Sequence, residues 1–280
     1  MIVSQPIIMG VLNVTPDSFS DGGKFLDASS AIDQATTMVD EGAGIVDIGG
    51  ESTRPGAKAV SVQDELNRVI PVIEALKGKI NVPISIDTSK PEVMERAVGA
   101  GASIINDVNA LRADGALDMA AKLKTDICLM HMQGSPRTMQ NNPVYEDVVK
   151  DIKAFFKERI EACKLAGIDL NSITLDPGFG FGKNLGHNIA LLKNLSEFHE
   201  FGVSILAGLS RKSMIGTLLG DKDVDSRMIG SVTAALIAVE NGADIIRVHD
   251  VKEAVETIKL VSLLFWLTCT SACSILRFCV

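Results

Sequence analysis

Apolar and polar positions fall in alternating blocks along the chain, with short apolar runs followed by longer stretches of helical spacing. Strands that are covered on both faces need nearly continuous Val, Ile and Leu, because neither face meets water. Eight runs of strand length have this composition: residues 7–14, 45–50, 83–87, 103–107, 126–130, 173–176, 204–208 and 245–248. The pattern therefore predicts a parallel β-sheet that is buried between other layers.

The stretches between these runs have the apolar periodicity of amphipathic helices. They cover residues 28–41, 61–77, 91–100, 115–123, 144–166, 188–195 and 226–241. Glycine supplies the left-handed residue past a helix end, and it stands before the next strand at Gly42, Gly101, Gly167 and Gly242. Repeated strand–helix units predict an α/β fold, a single-domain (β/α)8 TIM barrel. An open doubly wound sheet is the alternative, but its dinucleotide fingerprint is absent after the first strand.

Every predicted strand ends in polar residues. They are Asn13; Glu51, Ser52, Thr53 and Arg54; Asp87; Asn106 and Asp107; His131; Asp176; Ser210, Arg211, Lys212 and Ser213; and Arg247 and His249. One such residue alone is commonly a turn former or a helix cap. Polar groups at all the strand ends would share one rim, and in barrels that rim carries the active site.

The rim groups are mixed in charge, which indicates the class of substrate. A carboxylate beside an amide suits a flat heterocycle with adjacent N–H and amino groups. Several cations suit a phosphate or diphosphate, and arginine offers a planar fork for it. We therefore expect a polar ring compound that carries phosphate.

Composition excludes several other classes. The chain has 280 residues, a net charge of −8 and 4% aromatic residues, so neither a phosphate-backbone partner nor a base-stacking platform is expected. The five cysteines lack metal-ligand spacing, and Cys128 and Cys163 are predicted to be buried thiols. With no signal-peptide pattern in residues 1–6, we expect a cytoplasmic protein.

Two sequence features resemble known binding sites but lack residues that those sites need. The run from Gly178 to Lys183 resembles a phosphate-binding loop, but Asn184 stands where that loop needs Ser or Thr. His131 has no second histidine in a ligand spacing, so a hydrogen-bonded rim residue is favoured over a metal ligand.

Independent motifs on the predicted strand ends resemble those of the dihydropteroate synthase family. They occupy residues 9–23, 47–56, 84–88, 131–140, 176–183, 210–213 and 247–249, and the similarity covers about residues 5–260. The resemblance implies a (β/α)8 barrel and a homodimer. It also implies a Mg²⁺-dependent transferase of folate biosynthesis, which joins 4-aminobenzoate to 6-hydroxymethyl-dihydropterin diphosphate and releases diphosphate.

The same resemblance assigns roles to residues. The pterin would be held by Asp87, Asn106, Asp176, Lys212 and Arg247, of which Asp87, Lys212 and Arg247 would be catalytic. The diphosphate would be held by Asn13, Arg247 and His249, with Asn13 as the metal ligand. The aminobenzoate would be framed by Phe19, Thr53, Arg54, Pro55 and Ser213, and inhibition by sulfonamides is expected.

Two other functions are open to a chain of this kind. A pterin-dependent methyltransferase domain should lack the Ser-Thr-Arg-Pro loop at 52–55 and the Ser-Arg-Lys-Ser run at 210–213, yet both are present. An inactive pterin-binding or scaffold protein should have lost Asn13, Arg247 or His249, yet all three remain.

The end of the chain departs from the family, whose last helix should have a charged outer face. Residues 260–276 carry no charge. We expect a barrel over residues 1–260 and an atypical apolar tail over 261–280, either an altered end or a helix in a dimer interface. Membrane anchoring is disfavoured, because the tail only just reaches the roughly 17 residues that a span needs and is rich in Ser and Thr.

Overall fold

A computed structural model describes residues 5–14, 24–52, 57, 59–134 and 138–269, without the side chains of 24–28 and 265–269. Eight parallel strands close into a barrel in chain order. They are β1 (Ile7–Asn13), β2 (Ile45–Gly49), β3 (Ile84–Asp87), β4 (Ile104–Asp107), β5 (Asp126–Met130), β6 (Ile173–Asp176), β7 (Ser204–Ala207) and β8 (Ile245–Val248). The predicted (β/α)8 barrel is confirmed.

The strands are joined by helices that cover the outside of the barrel. They are α1 (Lys24–Asp40), α2 (Val62–Leu76), α3 (Pro91–Ala100), α4 (Ala116–Leu123), α5 (Val148–Leu165), α6 (Leu185–Lys193), α7 (Ser213–Leu218), α8 (Met228–Glu240) and α9 (Val251–Cys269). The four glycines predicted to end helices all have positive φ, as that role requires.

Side-chain caps explain where the helix bounds differ from those expected. Helix α5 begins at Val148 rather than at residue 144, because the Asp147 carboxylate accepts the N–H groups of Val149 and Lys150 at 3.1 and 3.2 Å. Helix α6 begins at Leu185 rather than at 188, because the Asn184 side chain accepts the N–H of His187 at 2.9 Å. Each cap satisfies backbone donors that the first helical turn leaves unpaired.

Alternation along the strands divides the apolar residues into two sets. Outward-facing residues such as Leu12, Val46 and Ile105 belong to the large core between barrel and helices. Inward-facing residues form a separate cluster that fills the lower lumen: Met9, Ile45, Cys128, Leu206 and Ile245. Because side chains repeat with a period of two, the next inward residues are Asp47 after Ile45 and Arg247 after Ile245. The polar site therefore lies directly above an apolar floor.

The structure also bears on the predicted buried thiols and on the predicted tail of the chain. Cys128 and Cys163 are buried free thiols, as predicted. Helix α9 continues past residue 260 to Cys269, and Leu260, Leu263 and Leu264 on it are exposed. Residues 270–280 lie outside the described part, so the division at 260 stays a prediction. No helix among the described residues combines the length and the apolar content that crossing a membrane requires.

Candidate active site

Arg247 on β8 is the centre of a buried network in the lumen. Its Nε donates to Oδ2 of Asp47 at 2.6 Å, and its Nη2 donates to Oδ2 of Asp87 at 2.8 Å. Asn106 Nδ2 donates to the same Oδ2 of Asp47 at 3.1 Å. Strands β2 and β3 thus bring two carboxylates to one guanidinium, and β4 adds an amide that donates to one of these carboxylates. Charge-assisted bonds of this kind fix both the position and the plane of an arginine.

Asp47 was not selected from the sequence as a site residue, although it lies in one of the motifs. It stands inside an apolar strand rather than at its end, and its side chain is completely buried. An acid in such a run is itself a signal, because a buried charge is retained only with partners.

Asp87 ends β3 and is held close to its titration point at neutral pH. Burial raises its pKa from 3.8 to about 7, with further upward contributions from Asp47, Asp107 and Glu65. The Arg247 guanidinium opposes them. A carboxyl in this condition changes its charge within the physiological pH range.

Asp176 ends β6 and contacts the glycine loop that follows. Its Oδ1 accepts the N–H of Gly178 at 2.7 Å. Burial raises the pKa of Asp176, while this N–H and the Lys212 and Arg247 cations lower it. Gly178 has a φ of +70°, and a Cβ there would lie 2.0 Å from the His131 carbonyl oxygen, so no other residue fits.

Two glycines stand in close contact with the polar side chains of the site. At Gly208, after β7, an added Cβ would lie 3.8 Å from Cβ of Arg247 and 4.0 Å from Oδ2 of Asp176. At Gly49, which ends β2, it would lie 3.8 Å from both Asn13 Oδ1 and Asp87 Oδ2. A side chain larger than a methyl group at either position would therefore reach the polar groups of the rim.

The remaining predicted residues at this rim lie on β1 and around α7 and β8. Lys212 precedes α7, and its Nζ lies 4.0 Å from the Phe181 ring centroid, an attractive cation–π geometry. Ser213 is the exposed first residue of α7. Nδ1 of His249 lies 3.0 Å from Ser210 Oγ. Burial, together with the Arg247 and Arg211 cations, lowers the pKa of His249 to about 4. Its ring is therefore neutral at pH 7, not one of the rim cations that the sequence indicated.

Some rim residues serve the fold instead. Arg211 donates to both carboxylate oxygens of Asp250, at 3.2 and 2.5 Å. Asp107 accepts the Ser89 hydroxyl and the N–H groups of Asn109 and Leu111, the last two at 2.8 Å, so it is a turn former. Glu51 accepts a hydrogen bond from Lys90, which also donates to the fully buried Glu65 on α2.

His131 and Lys183 form a second internal pair. Lys183 Nζ lies 3.0 Å from His131 Nδ1 and donates to the carbonyls of Gly178 and Phe181, both at 2.9 Å. Burial and the Lys183 cation lower the pKa of His131 to about 2. Lys183 thus holds the carbonyls of its own loop, which supports the rejection of a phosphate-binding loop and of a histidine metal ligand.

The predicted aminobenzoate residues Phe19, Thr53, Arg54 and Pro55 lie outside the described residues, so their roles stay predictions. Across the ranges that the structure describes, no group of three or more His, Cys, Asp and Glu residues is arranged to hold a metal. Mg²⁺ nevertheless commonly takes only one or two protein oxygens together with water and substrate phosphate. Asn13, at the open end of β1 beside Asp87, fits that pattern.

Comparison with known proteins places this site in a family. The family model "Pterin binding enzyme" matches residues 9–249. The dihydropteroate synthase of Escherichia coli strain K12 is 54% identical over 259 residues, which cover 92% of each chain. The structure of the Xanthomonas albilineans dihydropteroate synthase with 4-aminobenzoic acid matches with a TM-score of 0.89 at 49% identity, over 94% of each chain. That of the Yersinia pestis enzyme in a sulfonamide drug complex has a TM-score of 0.89 at 53% identity, covering 95% of this chain and 96% of the other. The chain is thus a member of the dihydropteroate synthase family of pterin-binding enzymes.

Proposed function

We propose that this protein is a transferase that joins 4-aminobenzoate to 6-hydroxymethyl-7,8-dihydropterin diphosphate. The products are 7,8-dihydropteroate and diphosphate, in folate biosynthesis. The observation that carries the proposal is the lumen network of Arg247, Asp87 and Asn106, with Asp176 and Lys212 beside it. The five predicted pterin residues stand at or next to strand ends of a barrel that matches this family along its length.

The ring is bound by complementary hydrogen bonding. Asp176 accepts from the 2-amino group and the neighbouring ring N–H, and Lys212 donates to the carbonyl side. Asn106 supplies an amide, and Arg247 lies over the ring. A buried carboxylate that faces two N–H donors rejects rings that lack them, since its own acceptors would then remain unpaired.

The reaction is a dissociative substitution at the pterin methylene. The bond from carbon to the diphosphate oxygen breaks first, with both electrons leaving on the diphosphate, and the arylamine nitrogen then bonds to the carbon and loses a proton to solvent. The positive charge that develops on the pterin lies between Asp87 and Asp176, which stabilise it electrostatically. The amine is already neutral at pH 7, so a strong general base is not needed.

Diphosphate departure depends on cations and hydrogen-bond donors at the rim. Arg247 and the neutral His249 hold the diphosphate, and Asn13 is the protein ligand that suits Mg²⁺. When bound, Mg²⁺ offsets the negative charge that builds up on the leaving group.

The second substrate is assigned to the open side of the rim. Phe19, Thr53, Arg54, Pro55 and Ser213 frame the aminobenzoate, with its carboxylate near Ser213. A sulfonamide drug was bound to the Yersinia pestis relative. We therefore expect sulfonamides to compete with aminobenzoate here, which a rise in apparent KM for aminobenzoate would show.

The direct test of this function is product identification. Purified protein, both substrates and Mg²⁺ should yield 7,8-dihydropteroate by mass spectrometry. Samples without aminobenzoate or without Mg²⁺ should give none. Retention of the pterin without product would instead support a binding protein.

The charge of Asp87 predicts how affinity for the pterin ring depends on pH below 7. The pKa of Asp87 is raised to about 7, so its carboxyl becomes protonated as the pH falls through neutrality. The neutral carboxyl no longer attracts the Arg247 cation. Affinity for 6-hydroxymethylpterin, which lacks phosphate, should fall about fivefold between pH 7 and pH 6. Fluorescence titration from pH 5 to 7.5 measures this, and a flat profile over that range would contradict the assignment.

A homodimer is proposed on the exposed apolar residues around α7 and α8. Large apolar side chains concentrated on one face of a protein mark interaction surfaces. They are Leu218, Leu219, Val224, Met228, Ile229 and Ile237, and Ile229 is 76% exposed.

The dimer predicts a specific effect of charge at Ile229. Ile229→Arg should convert a dimer to a monomer in analytical ultracentrifugation at micromolar protein, because a buried unpaired charge opposes association. Leu165→Arg is the matched control, since Leu165 is 82% exposed at the end of α5. A wild-type monomer, or a dimer that survives Ile229→Arg, would contradict this surface.

A further inference from the structure

Asp47 lies in the lumen beside the predicted ring-binding residues. In a closed barrel the inward side chains of alternate strands form one layer, and Asp47 on β2 shares such a layer with the predicted ring-binding residues on β4, β6 and β8. Asp87 on β3 lies nearer the open end, since it pairs with Gly49, whereas Asp47 pairs with Ser85. Asp47 is completely buried, and the apolar floor residue Ile45 is the next inward residue below it.

One oxygen of Asp47 holds two residues of the ring site at once. Its Oδ2 accepts Arg247 Nε at 2.6 Å and Asn106 Nδ2 at 3.1 Å. Arginine and asparagine both carry planar polar groups with several rotamers, and a fixed acceptor at one edge decides which way the rest of each plane faces. With Nε on Asp47 and Nη2 on Asp87, the Arg247 guanidinium is held at two of its nitrogens.

We propose that Asp47 is a positioning residue for the proposed reaction: through the Oδ2 that they share, it orients Arg247 and Asn106 toward the substrate. The inference rests on the proposed function and adds to it a residue that acts through two others. Sites held within a fraction of an ångström by supporting hydrogen bonds keep their full rate, and a displacement of 1 Å costs about 100-fold.

Neighbouring Ser85 provides a matched control. It pairs with Asp47 in the strand register and is equally buried, and its hydroxyl donates no hydrogen bond to Arg247 or Asn106. Ser85→Ala removes a buried hydroxyl from the lumen and keeps the hydrogen bonds of Asp47 with Arg247 and Asn106. The kcat/KM of Ser85→Ala should stay within about threefold of wild type, because the hydrogen bonds of Arg247 and Asn106 are unchanged.

The test compares Asp47→Ala and Asp47→Asn with Ser85→Ala in the full-length protein. Asp47→Ala removes the shared acceptor, so kcat/KM for the pterin diphosphate should fall about 100-fold. Asparagine can keep an oxygen toward both donors and loses only the charge, so a fall of about tenfold is expected. KM for the pterin diphosphate should rise while KM for aminobenzoate stays near wild type in both variants. A smaller folded fraction would not produce this split, because it lowers the apparent kcat and leaves both KM values unchanged.

A double-mutant cycle separates positioning from bulk stability. If Asp47 acts through Arg247, then Arg247→Lys should cost much less in the Asp47→Ala background than alone, while independent effects would multiply. The inference is overturned if folded Asp47→Ala keeps wild-type kcat/KM. It is also overturned if the two replacements multiply, or, where the alanine variant does not fold, if Asp47→Asn behaves like Ser85→Ala.

The same variants distinguish this inference from the proposed function. Binding of 6-hydroxymethylpterin needs no turnover and reports the ring site alone. If wild type binds this ring but forms no dihydropteroate, the proposed function fails. An unchanged dissociation constant in Asp47→Ala would then overturn the positioning role, and a rise of at least tenfold would retain it for ring binding.

Discussion

Replacing Asp176 with asparagine is expected to raise the dissociation constant for 6-hydroxymethylpterin by at least about 100-fold. Two charge-assisted hydrogen bonds from the ring to this carboxylate are worth about 1.5–3 kcal/mol each. An asparagine that keeps its oxygen on the Gly178 N–H, where Asp176 Oδ1 now accepts at 2.7 Å, would turn its amide donor toward the ring donors. Fluorescence titration measures the affinity, and product formation should fall in parallel.

Asp107→Asn is the matched control for Asp176→Asn. Asp107 is also a buried acid at a strand end, but its oxygens accept Ser89, Asn109 and Leu111 within its own turn. Asparagine there should lower the free energy of unfolding by about 1–3 kcal/mol and leave ring affinity within a few-fold. Equal loss of ring affinity in both variants would contradict the assignment of Asp176 as the ring acceptor.

Replacing Arg247 with methionine should reduce kcat/KM for the pterin diphosphate about 1,000-fold, as expected for loss of a preorganised cation beside the reacting groups. The change also leaves Asp47 and Asp87 buried without their guanidinium, which should lower the free energy of unfolding by about 3–5 kcal/mol. Steady-state kinetics and urea unfolding measure the two effects separately.

If Arg247→Met does not fold, Arg247→Lys tests the role of the guanidinium instead. Lysine keeps the charge but cannot reach Asp47 and Asp87 with a planar fork, so a loss of at least about 50-fold is still expected. Arg112→Met, at an exposed arginine over the Phe155 ring, controls for the same chemical change outside the network. Wild-type kcat/KM in Arg247→Lys would contradict a role for the guanidinium.

The fold followed from the sequence because each strand is a short apolar run that ends at a turn. Continuous apolar runs of strand length and helix-ending glycines are local signals, and both are present as strands and helix ends in the folded chain. Helix ends were less exact, since the start of α5 depends on which acid, Asp147, caps the first turn. Strand-end residues such as Asp87, Asp176 and Arg247 were found because a parallel barrel brings all such ends to one rim.

Charge pairing was what the sequence could not reveal. Arg211 resembles a phosphate ligand in the chain, but Asp250, 39 positions later, is its partner in the fold. Asp107 and Asp87 are both strand-end acids, and only the turn after β4 shows that Asp107 serves its own backbone. Asp47 carries no strand-end signal because it lies inside an apolar strand, and its partner Arg247, 200 positions away, meets it only when the barrel closes.

The measurement that tests the central claim most directly is diphosphate release by purified protein with the pterin diphosphate and Mg²⁺, with and without 4-aminobenzoate. We predict release that depends on aminobenzoate and equals, mole for mole, the dihydropteroate formed. Tight pterin binding without release would contradict the account and favour an inactive pterin-binding or scaffold protein. Release at the same rate without aminobenzoate would contradict it as well, because the lumen site would then catalyse hydrolysis rather than transfer.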